Sequence, residues 1–419
     1  MQRHHLADEY SVILKSPSPA DVFCYSPSLL KLPNGRLLAG CDIGGEGVPE
    51  SPASFKRRPT RERRNIGKLL VSDDGGKTWQ EKHEMPLMFP RPFLAGNTIY
   101  VMGAARDLGI LKSEDNGETW SDVVWFSEGE LWHQAPTSII HKGDFVYLVW
   151  EKMVNEKKFW PIGAIAPILM RANVHDDLLK KENWTYASEL VYEQEFKEED
   201  FDNYGVGFYP RVKGGYHAGS PLGWLETNVV QLHKEDDWLT DPSGKTFHLF
   251  ARTWSGGPAW MGALLKVVEN DDGTMTTMFE TTPSGKRLVF IPIPGGGWSK
   301  FHILYDEPTK TYRLLTNDFP NSMVNLNQKG DDERNGYGRN RLVLYYSYNC
   351  FDWLFAGVVA TGKTPQQSRS YAYMEPDGED LLIASRSGDE RVFNGHETNV
   401  ITFHRVKNFR DLIDPDCVL

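Results

Sequence analysis

The chain of 419 residues carries a formal net charge of −11, from 46 Lys and Arg against 57 Asp and Glu. An acidic balance of this size excludes a nucleic-acid-binding role for the surface as a whole, and no apolar run reaches the roughly 18–20 residues that a membrane helix needs. Aromatic residues make up 12% of the chain, which also has 38 Gly and 25 Pro, a composition typical of many short strands joined by tight turns.

The cysteines and the N-terminus bear on the cellular compartment. Cys24, Cys41, Cys350 and Cys417 are scattered, so we expect neither a disulfide framework nor a zinc site. Residues 1–16 lack the apolar segment of a signal peptide. The sequence therefore predicts either a cytoplasmic protein or a trimmed form of a secreted one.

In chain order, six pairs of strand-like segments recur, each pair joined by a turn. They are 27–32 with 36–41, 93–94 with 98–103, 136–140 with 144–150, 227–232 with 246–252, 301–305 with 311–316, and 371–374 with 380–385. One further strand is predicted at 10–14. The sequences Pro-Asn-Gly at 33–35 and Pro-Asp-Gly at 376–378 are turn signals.

Two segments, 72–79 and 113–120, share the template S-x-D-x-G-x-T-W. In each, the aspartate (Asp74 or Asp115) can fold its carboxylate onto the turn amides, while a glycine supplies the left-handed conformation. A decayed copy occupies 347–353, and a looser one ends at 183–185. The repetition favours a recurring structural corner over a coincidental hairpin.

The template resembles the Asp box of sialidase-like β-propellers, where it joins the third and fourth strands of a blade on the face opposite the active site. The resemblance implies an all-β fold in which residues 1–419 form a single β-propeller of four-stranded antiparallel blades. The strand pairs predict six blades, with room for a seventh in the stretch 196–225. The strand at 10–14 would complete the last blade and close the ring, which leaves no exposed sheet edge.

With the Asp boxes on the far face, the starts of first strands and the ends of second strands lie at the opposite mouth. Polar and titratable side chains collect there, and a concave mouth of this kind is the default active-site hypothesis. First-strand starts carry Ser26, His133, Glu226, Asn228, Trp298, Lys300 and Tyr371. Second-strand ends and the loops after them carry Glu151, Arg252, Asn317, Arg386, His396 and Asn399, and Arg339 leads into the third strand of the fifth blade.

Each of these residues also has a structural interpretation. Arg252 and Arg339 are equally suited to salt bridges between blades, and His396 and Asn399 to capping the last blade. The basic run 56–64, also on the mouth face, either steers an anionic glycan toward the site or is a solvated loop or a subunit contact.

The resemblance also separates two kinds of activity. Sialidases grip the substrate carboxylate with three arginines, the first from an Arg-Ile-Pro motif, and in the matching segment 24–30 Ser26 stands at that position. A neutral serine cannot replace a bidentate guanidinium, so the carboxylate clamp is incomplete. Other segments resemble the propeller lyases that act on rhamnose–glucuronate caps and on ulvan; these are 133–136, 224–228, 296–301, 339–340 and 396–405.

The lyase resemblance implies β-elimination beside a uronic acid in an acidic oligo- or polysaccharide. Such a reaction needs cationic donors that neutralise the carboxylate and stabilise an enolate-like intermediate, together with a base and an acid. The candidate catalytic residues are His133, Tyr371 and His396. The candidate substrate-binding residues are Arg252, Lys300, Arg339, Asn228, Glu226, Trp298 and Asn399.

Two alternatives stay open. An exo-acting glycoside hydrolase of sialidase type would use a carboxylate pair about 5 Å apart or a tyrosine nucleophile with an acidic partner, for which Glu226, Glu151 and Tyr371 are candidates. A non-catalytic propeller would bind glycans through its Trp-rich mouth. No cofactor is expected and no metal-ligand cluster is legible, although the resemblance allows a structural Ca²⁺ ion. The oligomeric state is left open.

Overall fold

A computed structural model describes residues 5–57, 61–154, 162–195, 223–253, 260–318, 321 and 338–416. The strands in chain order are β1 (Ser11–Lys15), β2 (Phe23–Lys31), β3 (Leu37–Gly45), β4 (Arg64–Ser72), β5 (Gln80–Met85), β6 (Met88–Ala95), β7 (Thr98–Ala104), β8 (Leu108–Ser113), β9 (Val124–Trp125), β10 (Trp132–His133), β11 (Ile139–Lys142), β12 (Phe145–Met153), β13 (Ile165–Asn173), β14 (Trp184–Tyr186), β15 (Leu225–Val230), β16 (Thr246–Arg252), β17 (Met261–Glu269), β18 (Met275–Met278), β19 (Glu280–Thr281), β20 (Arg287–Leu288), β21 (Phe290–Pro292), β22 (His302–Asp306), β23 (Thr311–Asn317), β24 (Arg341–Ser347), β25 (Leu354–Thr361), β26 (Arg369–Asp377), β27 (Asp380–Ser387) and β28 (Val400–Val406). Within these ranges, helix is confined to α1 (Tyr192–Glu195) and the short 3-10 turns Ile162–Ala164, Lys181–Asn183 and Phe409–Leu412.

These strands form six antiparallel blades, which confirms the predicted fold class. Blade 1 is β2-β3-β4-β5, blade 2 is β6-β7-β8-β9, blade 3 is β10-β12-β13-β14 with β11 added, blade 4 is β15-β16-β17-β18, blade 5 is β22-β23-β24-β25, and blade 6 is β26-β27-β28-β1. The predicted hairpins are the first two strands of successive blades. The small pair β19-β20 and the strand β21, which adds to β17, follow blade 4 and were not predicted.

Six apolar clusters hold the ring together, each lying between two neighbouring blades. Because a blade is packed on both faces, its second strand is apolar or small at nearly every position. All nine residues of β3 are buried, for example, rather than alternate ones. Continuous burial of this kind is the pattern of a sheet covered on both sides.

The ring closes through the N-terminal strand, as predicted. Strand β1 pairs with β28 in antiparallel register, with Ser11 opposite Phe403. The segment proposed for a seventh blade, 196–225, lies mostly outside the described residues. Blades 3 and 4 nevertheless touch directly, since Ser138 Oγ donates to Val229 O at 2.8 Å and Trp224 Nε1 donates to Ile165 O at 2.8 Å. Blades 3 and 4 are therefore neighbours in the ring.

The two S-x-D-x-G-x-T-W segments form the predicted corners between third and fourth strands. Asp74 Oδ1 accepts hydrogen bonds from the amides of Lys77 and Thr78, both at 2.9 Å, and Oδ2 accepts one from the Thr78 hydroxyl at 2.6 Å. The hydroxyl bond first, and then the amide bonds, lower the pKa of Asp74 to about 2. Gly76 takes a φ of +90°, which only glycine adopts without strain. The tryptophan that ends the first corner, Trp79, packs its ring 5.5 Å from that of Phe403 in blade 6.

One predicted strand was wrong. The segment 136–140 is interrupted: β10 ends at His133, and β11 begins only at Ile139. Pro136 has no amide hydrogen to give to a ladder. Gln134 Nε2 and Thr137 Oγ1 instead donate across the interface to Thr227 O, both at 2.8 Å, which fixes the connection to blade 4.

Candidate functional site

Four first strands contain a bulge with a left-handed residue at their mouth end. These residues are Ser26 (φ 52°), Phe89 (φ 61°), Glu226 (φ 55°) and Tyr371 (φ 50°). At each bulge the register of the first hairpin shifts. A left-handed non-glycine residue costs about 1–2 kcal/mol, and bulges of this kind re-aim a side chain, often beside a functional site.

Tyr371 and Glu226 are brought together by a shared hydrogen-bond donor. Arg252, at the end of β16 in blade 4, donates through Nη1 to Glu226 Oε2 at 2.9 Å and to the Tyr371 hydroxyl at 3.3 Å. Blade 5 separates blade 4 from blade 6 along the ring. The contact therefore spans the mouth, and the two bulges bring their side chains to a common point.

Two further guanidinium groups face the Tyr371 ring. Arg339, from blade 5, places its guanidinium carbon 5.2 Å from the ring centroid, and Arg386, from blade 6, places its own at 4.8 Å. Together with Arg252 and Glu226 they make up the Tyr371 cluster, whose four charged members are buried. The Tyr371 side chain itself is half-buried and so remains accessible from the mouth.

The cluster favours the ionised form of Tyr371. Burial disfavours the phenolate and acts to raise its pKa, as does the carboxylate of Glu226. The charges of Arg339, Arg252 and Arg386 outweigh both effects, so that the pKa of Tyr371 is lowered from its ordinary value of 10.0. Lowered pKa values of this origin are common at catalytic positions.

The described residues do not supply hydrogen-bond acceptors for two nitrogen atoms of Arg339. The side chain is 1% exposed, yet its Nε and Nη1 atoms have no hydrogen-bond partner within the described part of the chain. An unsatisfied buried donor costs about 1–3 kcal/mol, and more when it is charged. An anionic group placed beside Tyr371 would satisfy both nitrogens, and a carboxylate has the geometry to do so.

His133 lies at the start of blade 3, in a buried network that borders Glu226 and Arg252. Its Nδ1 is 3.0 Å from Glu151 Oε2, and Glu151 Oε1 accepts hydrogen bonds from Thr227 N at 2.9 Å and Thr227 Oγ1 at 3.0 Å. Burial and the charges of Arg57 and Arg252 lower the pKa of His133, whereas burial raises the pKa of Glu151. Burial thus favours the neutral form of both groups, in which Glu151 Oε2 and His133 Nδ1 can share one hydrogen.

Several predicted site residues instead hold the backbone of the site. Lys300 Nζ donates to Ala372 O at 2.7 Å, directly after Tyr371. The Asn228 side chain donates to Phe301 O at 3.1 Å and accepts from Ile303 N at 3.0 Å, and so joins blades 4 and 5. Asn399 Nδ2 donates to Asp389 Oδ1 at 2.6 Å. Trp298 is buried in the turn that follows β21.

His396 contributes to the site through its backbone. Its carbonyl accepts a hydrogen bond from Arg386 Nη2, and its Nδ1 lies 3.5 Å from Glu397 Oε1. Burial and the charge of Arg386 lower the pKa of the imidazole, so it is neutral at physiological pH. His396 therefore borders the Tyr371 cluster and fixes Arg386 within it.

Sequence reasoning gave no role to Arg386, although it placed the residue at the mouth. Ser26 brings no charge to the mouth end of blade 1, whereas Arg386 brings a third guanidinium to Tyr371 from blade 6, the blade of Tyr371 itself. The signal that could have found it is positional, since Arg386 and Arg252 both lie at the mouth end of a second strand.

Asp42 lies at the equivalent place in blade 1, where burial raises its pKa to about 6.

The basic run was rightly placed on the mouth face, although residues 58–60 lie outside the described ranges. The guanidinium carbon of Arg57 is 5.6 Å from the centroid of the Phe89 ring, which itself packs against the ring of His133 at 4.9 Å. Arg63 lies 5.3 Å from the centroid of Tyr25 and pairs with Glu397.

Within the ranges described above, no group of three or more His, Cys, Asp or Glu side chains is arranged to hold a metal ion. Cys24, Cys41 and Cys350 are buried free thiols. None of the helices in those same ranges combines the length and apolarity needed to span a bilayer.

Comparison with known proteins identifies the fold. No family model and no curated protein sequence matches the chain. Solved structures similar to it include the intramolecular trans-sialidase of Ruminococcus gnavus, at 13% identity and a TM-score of 0.54, covering 97% of this chain and 99% of that one. An α-L-arabinanase of Penicillium chrysogenum is also 13% identical, with a TM-score of 0.52 and the same coverage.

A mutant of the Trypanosoma rangeli sialidase is likewise 13% identical, with a TM-score of 0.50, and covers 98% of this chain and 59% of its own. At such low identity the likeness concerns the fold alone. The chain shares the six-bladed propeller of sialidases and arabinanases.

Proposed function

We propose that this protein is a carbohydrate-active enzyme that cleaves a glycosidic bond in an acidic glycan, at a sugar whose reacting carbon carries a carboxylate. The observation that supports the proposal is the Tyr371 cluster. A phenol with a lowered pKa lies beside Arg339, two of whose buried nitrogens, Nε and Nη1, have no hydrogen-bond partner among the described residues. The reacting carbon is next to a carboxylate in both candidate reactions. The base or nucleophile that acts on this carbon must therefore lie beside the cations that bind the carboxylate.

The reaction that we assign first is β-elimination at a uronic acid. The substrate carboxylate binds Arg339 and is neutralised there, which acidifies the C5 hydrogen. The Tyr371 phenolate takes this proton, the C4–O bond breaks, and the electron pair of the C5–H bond forms the C4–C5 double bond. His133 donates the hydrogen of Nε2 to the departing oxygen and regains a proton through Glu151, which is hydrogen-bonded to Nδ1.

Hydrolysis is the second candidate, because Glu226 and Tyr371 share one donor, Arg252 Nη1. In this reaction Glu226 takes the hydroxyl proton of Tyr371, and the phenolate oxygen bonds to the anomeric carbon while the glycosidic C–O bond breaks and the departing oxygen takes a proton from His133. Water then attacks the anomeric carbon and gives its proton to His133, the bond to Tyr371 breaks, and Glu226 returns the proton to the tyrosine oxygen. The trans-sialidase and the arabinanase of similar fold act on glycosidic bonds. A carboxylate on the anomeric carbon, as in a 2-keto sugar acid, would bind Arg339 equally well.

The two reactions leave different products. Uronic-acid oligosaccharides incubated with the protein should yield an unsaturated product that absorbs in the ultraviolet, and Tyr371→Phe should abolish it. New reducing ends without that absorbance would replace elimination by hydrolysis. If no acidic glycan, uronic or 2-keto, is cleaved although the oligosaccharides bind, the protein is a glycan-binding propeller and the proposal is wrong.

A further inference from the structure

The Arg386 guanidinium lies over two tyrosine rings at once. Its central carbon is 4.8 Å from the ring centroid of Tyr371 and 4.3 Å from that of Tyr25, which lies in β2 of blade 1. Arg386 and Tyr25 are both buried, so water does not weaken the contact between them. A desolvated arginine is attracted to the negative face of an aromatic ring, and the Tyr25 ring therefore helps to keep Arg386 beside Tyr371.

The hydrogen bonds of Arg386 all go to the connection between β27 and β28. Its Nε donates to Thr398 Oγ1 at 3.3 Å, and its Nη2 donates to the carbonyl of His396. Neither acceptor is a carboxylate, and a neutral acceptor binds a guanidinium more weakly than a carboxylate does. The ring of Tyr25 therefore matters more for the place that Arg386 takes.

Tyr25 is itself held through its hydroxyl. The hydroxyl donates to Glu397 Oε2 and accepts from Arg63 Nη2, which lies 3.4 Å from the same carboxylate oxygen. Arg63 belongs to the connection between β3 and β4 in blade 1, and Glu397 belongs to the connection between β27 and β28 in blade 6. One loop from each blade thus fixes the phenol whose ring lies over Arg386.

The place of Arg386 affects the charge of Tyr371. Glu226 and Arg252 of blade 4, Arg339 of blade 5 and Arg386 of blade 6 all act on the Tyr371 hydroxyl, and the three arginines favour its ionised form. The interaction between two charges weakens as their distance grows and as water enters between them. An Arg386 side chain that moves away from the Tyr371 ring would therefore stabilise the phenolate less.

We propose that Tyr25 is a positioning residue, whose ring holds Arg386 against Tyr371 and thereby favours the phenolate that the reaction uses. Tyr25 acts through Arg386 and not on the substrate. The inference rests on the proposed function in the role that it gives to Tyr371. Blade 1, whose Ser26 brings no charge to the mouth, thus contributes a ring that places the arginine of another blade.

The ultraviolet titration of Tyr371 tests this inference without a substrate. Tyr25→Leu should raise the pKa of Tyr371 by about half a unit to one unit, which is a fraction of the full effect of a unit charge at 4.8 Å. Tyr25→Phe keeps the ring and should leave the pKa of Tyr371 unchanged. Each spectrum is corrected with that of the same variant carrying Tyr371→Phe, so that the other tyrosines cancel.

Tyr147→Leu is the matched control. Tyr147 is also a buried tyrosine, and its hydroxyl donates at 2.9 Å to Glu269 Oε1, which pairs with Arg171 as Glu397 pairs with Arg63. Tyr147 lies near the start of β12, away from the mouth end of that strand. The control should lose stability as Tyr25→Leu does, but it should leave the titration of Tyr371 unchanged. A shift of equal size in both variants would reflect a general loosening and overturn the positioning role.

A double variant shows whether the effect passes through Arg386. In the Arg386→Met protein, Tyr25→Leu should add no further shift to the pKa of Tyr371. A shift that persists there, a pKa in Tyr25→Leu equal to that of the parent, or an equal shift in Tyr25→Phe overturns the proposal.

Two further outcomes are distinguishable. If Tyr25→Leu does not fold, Tyr25→Met, which fills more of the buried space, is titrated in its place and judged by the same criteria. A parent protein that cleaves no acidic glycan contradicts the proposed function alone, because the titration of Tyr371 does not depend on cleavage.

Discussion

The Tyr371 cluster predicts two pKa shifts of opposite sign. Replacing Arg339 with methionine removes a cation that stabilises the Tyr371 phenolate, so the pKa of Tyr371 should rise. Replacing Glu226 with glutamine removes an anion that disfavours the phenolate, so the pKa should fall. The two variants change the charge by one unit in opposite directions around one hydroxyl.

The structure also sets the size of the shift. The Arg339 guanidinium lies 5.2 Å from the Tyr371 ring. A unit charge at that distance is worth about 3 kcal/mol at an effective dielectric constant of about 20, which corresponds to roughly two pH units. Because Tyr371 is half-buried, solvent screens part of this interaction, and we expect a shift of about one to two units in each direction.

The measurement does not require the substrate. The ultraviolet difference absorbance of tyrosinate is followed against pH, and the spectrum of the Tyr371→Phe protein is subtracted so that the other tyrosines cancel. Where a substrate is available, the acid limb of kcat/KM should move with the same midpoints, since activity needs the phenolate. Midpoints that move in the same direction in both variants, or that do not move, would refute the electrostatic account of the site.

Three further predictions concern His133, Lys300 and Asp74. His133→Gln should lower kcat by about 10²–10⁴-fold with an unchanged thermal midpoint; activity near that of the parent would remove His133 from the mechanism. Burial lowers the pKa of Lys300 from 10.5 to about 7, so the native chain binds fewer protons than the unfolded chain within that window, and stability rises with pH across it. Urea denaturation at pH values near these two pKa values should show that the free energy of unfolding of the parent rises with pH relative to that of Lys300→Met. A difference between the two proteins that does not change with pH would contradict the lowered pKa of Lys300. Asp74→Ala should lower the thermal midpoint by freeing the corner amides while leaving activity intact, and a loss of activity at full stability would show that the far face takes part in function.

Much of the architecture was predictable because it rests on local chemistry. The corner at 72–79 requires an aspartate that reaches its own amides and a glycine with positive φ, and both requirements are written in adjacent residues. The six hairpins follow from short apolar runs around turn signals. The interrupted strand at 136–140 escaped prediction because its hydrogen bonds cross to Thr227, about ninety residues later in the chain.

The sequence predicted which residues lie at the mouth of the propeller, but it did not predict the contacts between their side chains. The sequence by itself determined the propeller, its closure by the first strand, and which residues stand at strand ends on the mouth face, since these depend on turn chemistry and repeat register. Only the tertiary structure decided that Tyr371, Glu226 and Arg252 meet across the ring, whereas Asn228, Lys300 and Asn399 bind backbone or a neighbouring loop. The physical reason is that left-handed bulges turn individual side chains out of the sheet pattern, and that Tyr371 of blade 6 meets Arg252 of blade 4, more than a hundred residues earlier in the chain.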